Sequence, residues 1–137
     1  VKMLGHFNAF RALLVAVSIL SNKVFSNVRV TNGAPVRANY VVLFPDGPAD
    51  FDLRLTQQQS MGARTRWRYD VRVVAVDADG LMLLADGVLS LIGVLPVVVG
   101  RVCSPVRLVP GVEEGRGRYD SVTDLHYLDL SFEFWSQ

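Results

Sequence analysis

The sequence predicts an α+β fold: a mostly antiparallel β-sheet with two α-helices packed on one face, in the order α-β-β-β-β-α-β-β. Three observations carry this expectation. Two separate stretches, near residues 6–21 and 81–94, place apolar residues at helical spacing. Residues 51–56 and 66–73 alternate apolar and polar side chains, the period of a strand with one buried and one wet face. The last stretch, 125–135, alternates in the same way. Helices and strands in this order form one sheet with its helices gathered on one side.

The first helix is expected over 6–21, where Phe7, Phe10, Leu13, Leu14, Val17 and Leu20 share one face. Lys2 ahead of the apolar run 12–20 has the look of a secretory signal. Arg11 interrupts that run, and it falls short of the roughly 20 residues a bilayer requires. The helix is therefore assigned to the core; cleavage near Ser26 in a secreted chain is the alternative. A short strand over 24–30, a turn at 31–35 and an apolar strand over 40–44 follow, closed by Pro45-Asp46-Gly47-Pro48. In the next pair of strands, Phe51, Leu53 and Leu55 alternate with Asp52, Arg54 and Thr56. After a loop at 57–63, Trp67, Tyr69, Val71 and Val73 alternate with Arg66, Arg68, Asp70 and Arg72. A loop containing Gly62 between them reads as an antiparallel hairpin. Asp77-Ala78-Asp79-Gly80 supplies a cap for the second helix, 81–94. Pro96 and Val97-Val98-Val99 open a strand reaching Ser104, and 110–118 is a charged loop. The final strand sets Leu128, Leu130, Phe132 and Phe134 on one face. The hairpin and this last strand are expected at the sheet's centre.

A chain of 137 residues is sized for a single domain over 1–137, and 50% apolar residues suffice for one core. Acids and bases nearly balance at a formal +1. A dedicated nucleic-acid binder normally carries a clear basic excess, and a disordered chain is less apolar and more charged. One cysteine, Cys103, allows no internal disulfide, and it reads as a small buried hydrophobe.

Motifs for chemistry are sparse, and neither cofactor nor metal is expected. No phosphate-cradling P-loop or dinucleotide fingerprint is present, and Ser90 lacks the flanking glycines of a nucleophile elbow. Asp77-Ala78-Asp79-Gly80 resembles the start of a calcium loop, but its glycine comes two positions early and no glutamate closes it; capping explains it better. Glu113 and Glu114 form the one adjacent acid pair, in a glycine-rich loop with Arg116 and Arg118, and read as solvated. His126, in phase with Leu128, reads as a hydrogen-bonded structural histidine. No catalytic group is expected.

The charged faces of the strands are more informative. Arg54, Arg66, Arg68 and Arg72 share the non-core side with Asp52 and Asp70, and the last strand brings Asp129 and Glu133 with Tyr127 and Trp135. If these strands pair, arginines and carboxylates face each other across the ladder. Such a face can be a solvated surface whose cross-strand pairs contribute about 0.2–1 kcal/mol each. It can equally be a subunit interface, where arginine and aromatics are enriched and lysine depleted; twelve arginines against two lysines fit, although a high-GC genome would give the same bias.

The layout resembles the tail terminator (tail completion) proteins of long-tailed siphophages, particularly those of actinobacterial hosts. The resemblance lies in the helix with Phe10-Arg11-Ala12-Leu13-Leu14, the strand Tyr40-Val41-Val42-Leu43-Phe44-Pro45, and the aromatic strand from Trp67 to Ala75. The helix containing Leu83-Leu84-Ala85-Asp86-Gly87-Val88-Leu89, a valine-rich strand and a C-terminal strand complete it. It implies a structural virion protein at the tail–neck junction, assembled in the host cytoplasm. Its partners would be itself in a hexameric ring, the tail tube protein and the head–tail connector, with viral DNA passing through the lumen unbound and no membrane. The contacts expected are the charged strand face, Gln58 and Met61 in the 57–64 loop, and Glu113, Glu114, Arg116 and Arg118. A connector or tube subunit is the nearest alternative, and a small ligand-binding domain or enzyme the more distant one.

Overall fold

Helical spacing of apolar residues at the start of the chain produces α1 (Met3–Ala16), whose inward positions His6, Ala9, Phe10 and Leu14 are buried. The computed structural model describes residues 3–27, 30–31, 33–44, 65–109 and 117–137. The helix begins three residues before the expected start and ends at Ala16, because Val17 turns extended (φ −74°, ψ 121°) and a single 3₁₀ turn (Ser18–Leu20) follows. That break seals Leu20 into the core and sets Val17 and Ile19 beside the second helix.

Within the expected strand over 24–30, Val24–Phe25 form β1 and 26–27 bend, while 28–29 lie outside the described residues. The turn-rich stretch forms a small antiparallel pair, β2 (Val30–Thr31) and β3 (Ala34–Pro35), around Gly33 at φ +80°. Four consecutive buried residues make β4 (Tyr40–Leu43), which lies parallel to β1 and antiparallel to β5 (Thr65–Ala75). The expected strand over 51–56, its hairpin and the 57–63 loop lie outside the described residues.

Asp77 caps α2 (Ala78–Leu89), its carboxylate accepting from the Gly80 amide at 2.7 Å. The acid in front of the helix thus satisfies one of its free N–H groups, as the capping reading required. Leu81, Leu84, Ala85 and Val88 face inward. At Gly87 the 3₁₀ turn comes so close that a Cβ would lie 2.9 Å from Ile19 Cγ2, so a glycine is needed there.

No strand forms over 96–104. Pro96 lacks a backbone donor, and Gly93 and Gly100 adopt left-handed φ values, so the valine run cannot sustain a ladder. Only its end, near Cys103, meets Ser136 in an isolated bridge, reinforced by reciprocal 2.9 Å bonds between Val102 and Gln137. Two short strands, β6 (Arg107–Leu108) and β7 (Arg118–Asp120), pair instead with β8 (Leu125–Ser136).

The main sheet runs β1-β4-β5-β8-β6, with β7 also on β8, and every pairing but β1–β4 is antiparallel. β5 and β8 form its centre in unbroken register from Thr65↔Ser136 to Ala75↔His126. Trp67, Tyr69, Val71 and Val73 lie opposite Phe134, Phe132, Leu130 and Leu128, and both helices pack on that face in one core. Among the described residues, no helix is long and apolar enough to cross a membrane.

One end of this core is polar and closed. Ser136 Oγ accepts from Trp67 Nε1 at 2.9 Å and from Arg101 Nε at 3.0 Å. Its single proton therefore goes to His6 Nε2, 2.7 Å away. The His6 ring also stacks on Trp67 at 3.9 Å, so α1 is tied to β5 by the stack and to β8 by the Ser136 bond.

Candidate assembly interface

Because β5 and β8 pair in register, the side chains opposite the core form facing columns. Arg66 lies across from Trp135, Arg68 from Glu133, Asp70 from Ser131 and Arg72 from Asp129. Arginines and carboxylates therefore meet across the ladder.

Arg72 forms the best-defined pair. Its Nε donates to Asp129 Oδ1 at 2.7 Å and its Nη2 to Oδ2 at 3.1 Å, a two-pronged match of planar groups. The guanidinium also lies 4.9 Å from the centre of the Tyr127 ring. The hydrogen bonds that Arg72 donates to Asp129 hold it above its ordinary pKa, partly offset by burial. Next along the ladder, Ser131 Oγ donates to Asp70 Oδ1, and Arg68 Nε approaches the same carboxylate at 3.7 Å. Glu133 is buried on this face, bonded to Arg107 and 4.0 Å from Arg66. The Arg66 guanidinium in turn lies 5.9 Å from the Trp135 ring centre.

The sequence-predicted residues Arg66, Arg68, Asp70, Arg72, Tyr127, Asp129, Glu133 and Trp135 thus share one surface. Arg118 joins them through β7, opposite Tyr127. Asp52, Arg54, Gln58, Met61, Glu113, Glu114 and Arg116 lie outside the described residues. Arg107 belongs to the same face and was not expected there. Its signal was the alternation of buried Val106 with exposed Arg107, too short to read as a strand without its partner β8.

Part of this face is apolar. Tyr40, Val42, Val74 and Leu125 form a second buried cluster, flanked by Phe25, Phe44 and Tyr127. Beside it lies a cleft of about 210 Å³, lined by Tyr40, Arg72, Val74, Asp120, Thr123, Leu125 and Tyr127. Ligand pockets usually span roughly 300–1,000 Å³, so this one admits a single side chain more readily than a cofactor. His126 keeps the core-side phase, but at the sheet's end it packs against the Tyr119 ring, 4.9 Å away. Cys103 is half-buried against the core, and burial pushes its thiol pKa up.

Replacing Arg72 by lysine keeps the charge but loses the fork. A destabilisation of about 0.5–1 kcal/mol is expected from urea unfolding, and Asp129→Asn should add little in that background. Fully additive losses would show that the two side chains do not act as a pair.

The architecture is an α+β fold with a mostly antiparallel six-stranded sheet, one face carrying both helices and the other an ion-paired surface. Among solved structures, a chain in the virion of a native gene transfer agent particle shares it. The TM-score is 0.63 at 19% identity, covering 98% of this chain and 92% of that one. By sequence, the chain matches no protein-family model and no curated protein.

Proposed function

We propose that this chain is a structural virion protein of a phage-like particle, and that it forms a closed ring of six, ending a tail tube and joining it to the head connector. The observation that carries this reading is the end-to-end fold likeness to a virion chain. A partial likeness would suit a borrowed module; matching lengths suit a protein of the same kind. The order of elements that resembles tail terminators supports the narrower assignment.

The ion-paired face is compatible with such a role. A ring subunit meets two lateral neighbours through different patches and meets axial partners besides, so a small protein must commit much of its surface to contacts. A face whose arginines are largely paired with carboxylates, on a chain of formal charge +1, is also compatible with a DNA channel that does not grip phosphate. The 57–64 and 111–118 loops and the charged sheet face are the proposed contacts.

Native mass spectrometry and cryo-electron microscopy of the purified chain test the proposal. The expected product is one closed ring that binds tube ends and blocks further tube growth. Long stacks of the chain alone would identify a tube subunit instead. A monomer that neither assembles at high concentration nor binds tail tubes would rule the ring out.

A further inference from the structure

Between α2 and β6 the chain exposes a run of valines that the core does not use. Val97, Val99 and Val102 are 83%, 89% and 79% exposed, whereas Val98 between them is buried. The alternation anchors the segment by Val98 and turns its neighbours outward. Gly93 and Gly100, at φ +87° and +78°, set the bends at either side, a backbone state costly for any residue with a Cβ. The segment is also tied down, through Gly93 N to Val106 O at 2.8 Å and the paired Val102–Gln137 bonds. A held loop that presents large apolar side chains to water marks a contact surface.

This loop sits at the Thr65/Ser136 end of the central ladder. The opposite end, beyond Ala75 and His126, carries a second exposed apolar group: Val76, Met82, Tyr119 and Val122, the last 92% exposed. The two ends are about 34 Å apart at ~3.4 Å per residue of strand. They also differ in charge. Among the described side chains, the loop end brings Arg66, Arg101 and Arg107 against Glu133. The other end brings Asp77, Asp79, Asp120 and Asp124 against Arg37 and Arg118. Among the described side chains, one end is therefore basic and apolar, the other acidic and apolar.

We infer that copies of this chain join head to tail, the valine loop of one seated on the Val76/Val122 end of the next. Complementary charge selects a second copy as the occupant, because each end repels its own kind and attracts the other. The contact is heterologous, so it propagates until rotation closes it, as a ring requires. This inference rests on the ring reading and names its lateral contact. The middle of the ion-paired sheet face, where Arg72 meets Asp129 and both Arg68 and Ser131 meet Asp70, is then left for axial partners or the lumen.

Two variants test it in the full chain: Val97→Asp/Val99→Asp on the basic loop end and Val122→Lys on the acidic opposite end, so that each introduced charge faces its own sign across the contact. All three side chains are largely in water, so thermal melts should match the wild type, and Val→Ser versions serve as a milder pair. Each charge variant alone is expected to be monomeric by native mass spectrometry. Mixed together they should form a one-to-one heterodimer and stop, since one intact loop then meets one intact end. Homodimers of either variant alone would indicate a two-fold contact and overturn the inference. Intact rings from both variants would overturn it while leaving the ring reading in place. A wild type that never assembles, alone or on tail tubes, would remove both.

Discussion

Ser136→Ala is expected to lower the unfolding free energy by about 2–4 kcal/mol, although it deletes one oxygen atom near the end of the chain. The hydroxyl accepts from Trp67 and Arg101 and donates to His6, and His6, Trp67 and Ser136 are all fully buried. Alanine removes both the acceptor of the Trp67 N–H and the hydroxyl that donates to His6 Nε2, at a site sealed in the core. Each buried polar group left unsatisfied costs roughly 1–3 kcal/mol, while the half-exposed Arg101 can turn to solvent. Urea unfolding of Ser136→Ala, Trp67→Phe and the double variant forms a cycle that isolates the hydrogen bond from the lost indole volume. The Trp67→Phe change should cost less in the alanine background than in the wild type. A Ser136→Ala loss below ~0.5 kcal/mol, within the range of ordinary surface substitutions, would mean that the cluster is satisfied in some other way.

The same cluster shows where the sequence stops being readable. His6 and Ser136 are 130 positions apart, and neither sits in a local pattern that points to the other. By contrast, the charged face was legible, because period-two alternation fixes which side chains share a side before any partner is known. Arg72 opposite Asp129 follows once β5 and β8 are paired centrally, and both strands are long enough to show their period. The short elements lacked that length. β6 and β7 exist because β8 offers them an edge, so Arg107 reached the face through a contact no window of residues could reveal. The valine run misled for the opposite reason: its local preference is for strand, but Pro96 and the two left-handed glycines deny it a regular ladder. Those exposed valines, misread as sheet, are now the residues of most interest for assembly. At the helices the apolar faces were read correctly, but both starts came three residues early, the second at its Asp77 cap, and both ends five residues early, the first at extended Val17.

Phe10→Ala should cost about 3–5 kcal/mol of stability. The ring is fully buried and stacks on Tyr69 with centres 5.1 Å apart, while Phe132 and Phe134 lie at 5.9 and 6.4 Å. Alanine leaves a void between three aromatic side chains held by the central ladder, which cannot collapse to fill it. The effect should fall off along the helix in a fixed order. Phe7, half-buried and 6.1 Å from Tyr69, should cost less than Phe10, and Leu4, 72% exposed, should cost almost nothing. Equal and negligible effects at all three positions would mean that the apolar N-terminal segment does not belong to the core, and would revive the reading of it as a secretory signal. The gradient also guards the assembly experiments. If α1 covers the aromatic face of the sheet, losing it exposes that face, and the resulting aggregate would mask any failure to form a ring. A thermal melt of each interface variant must therefore come first: one that melts with the wild type yet fails to assemble has lost a contact between subunits rather than the fold.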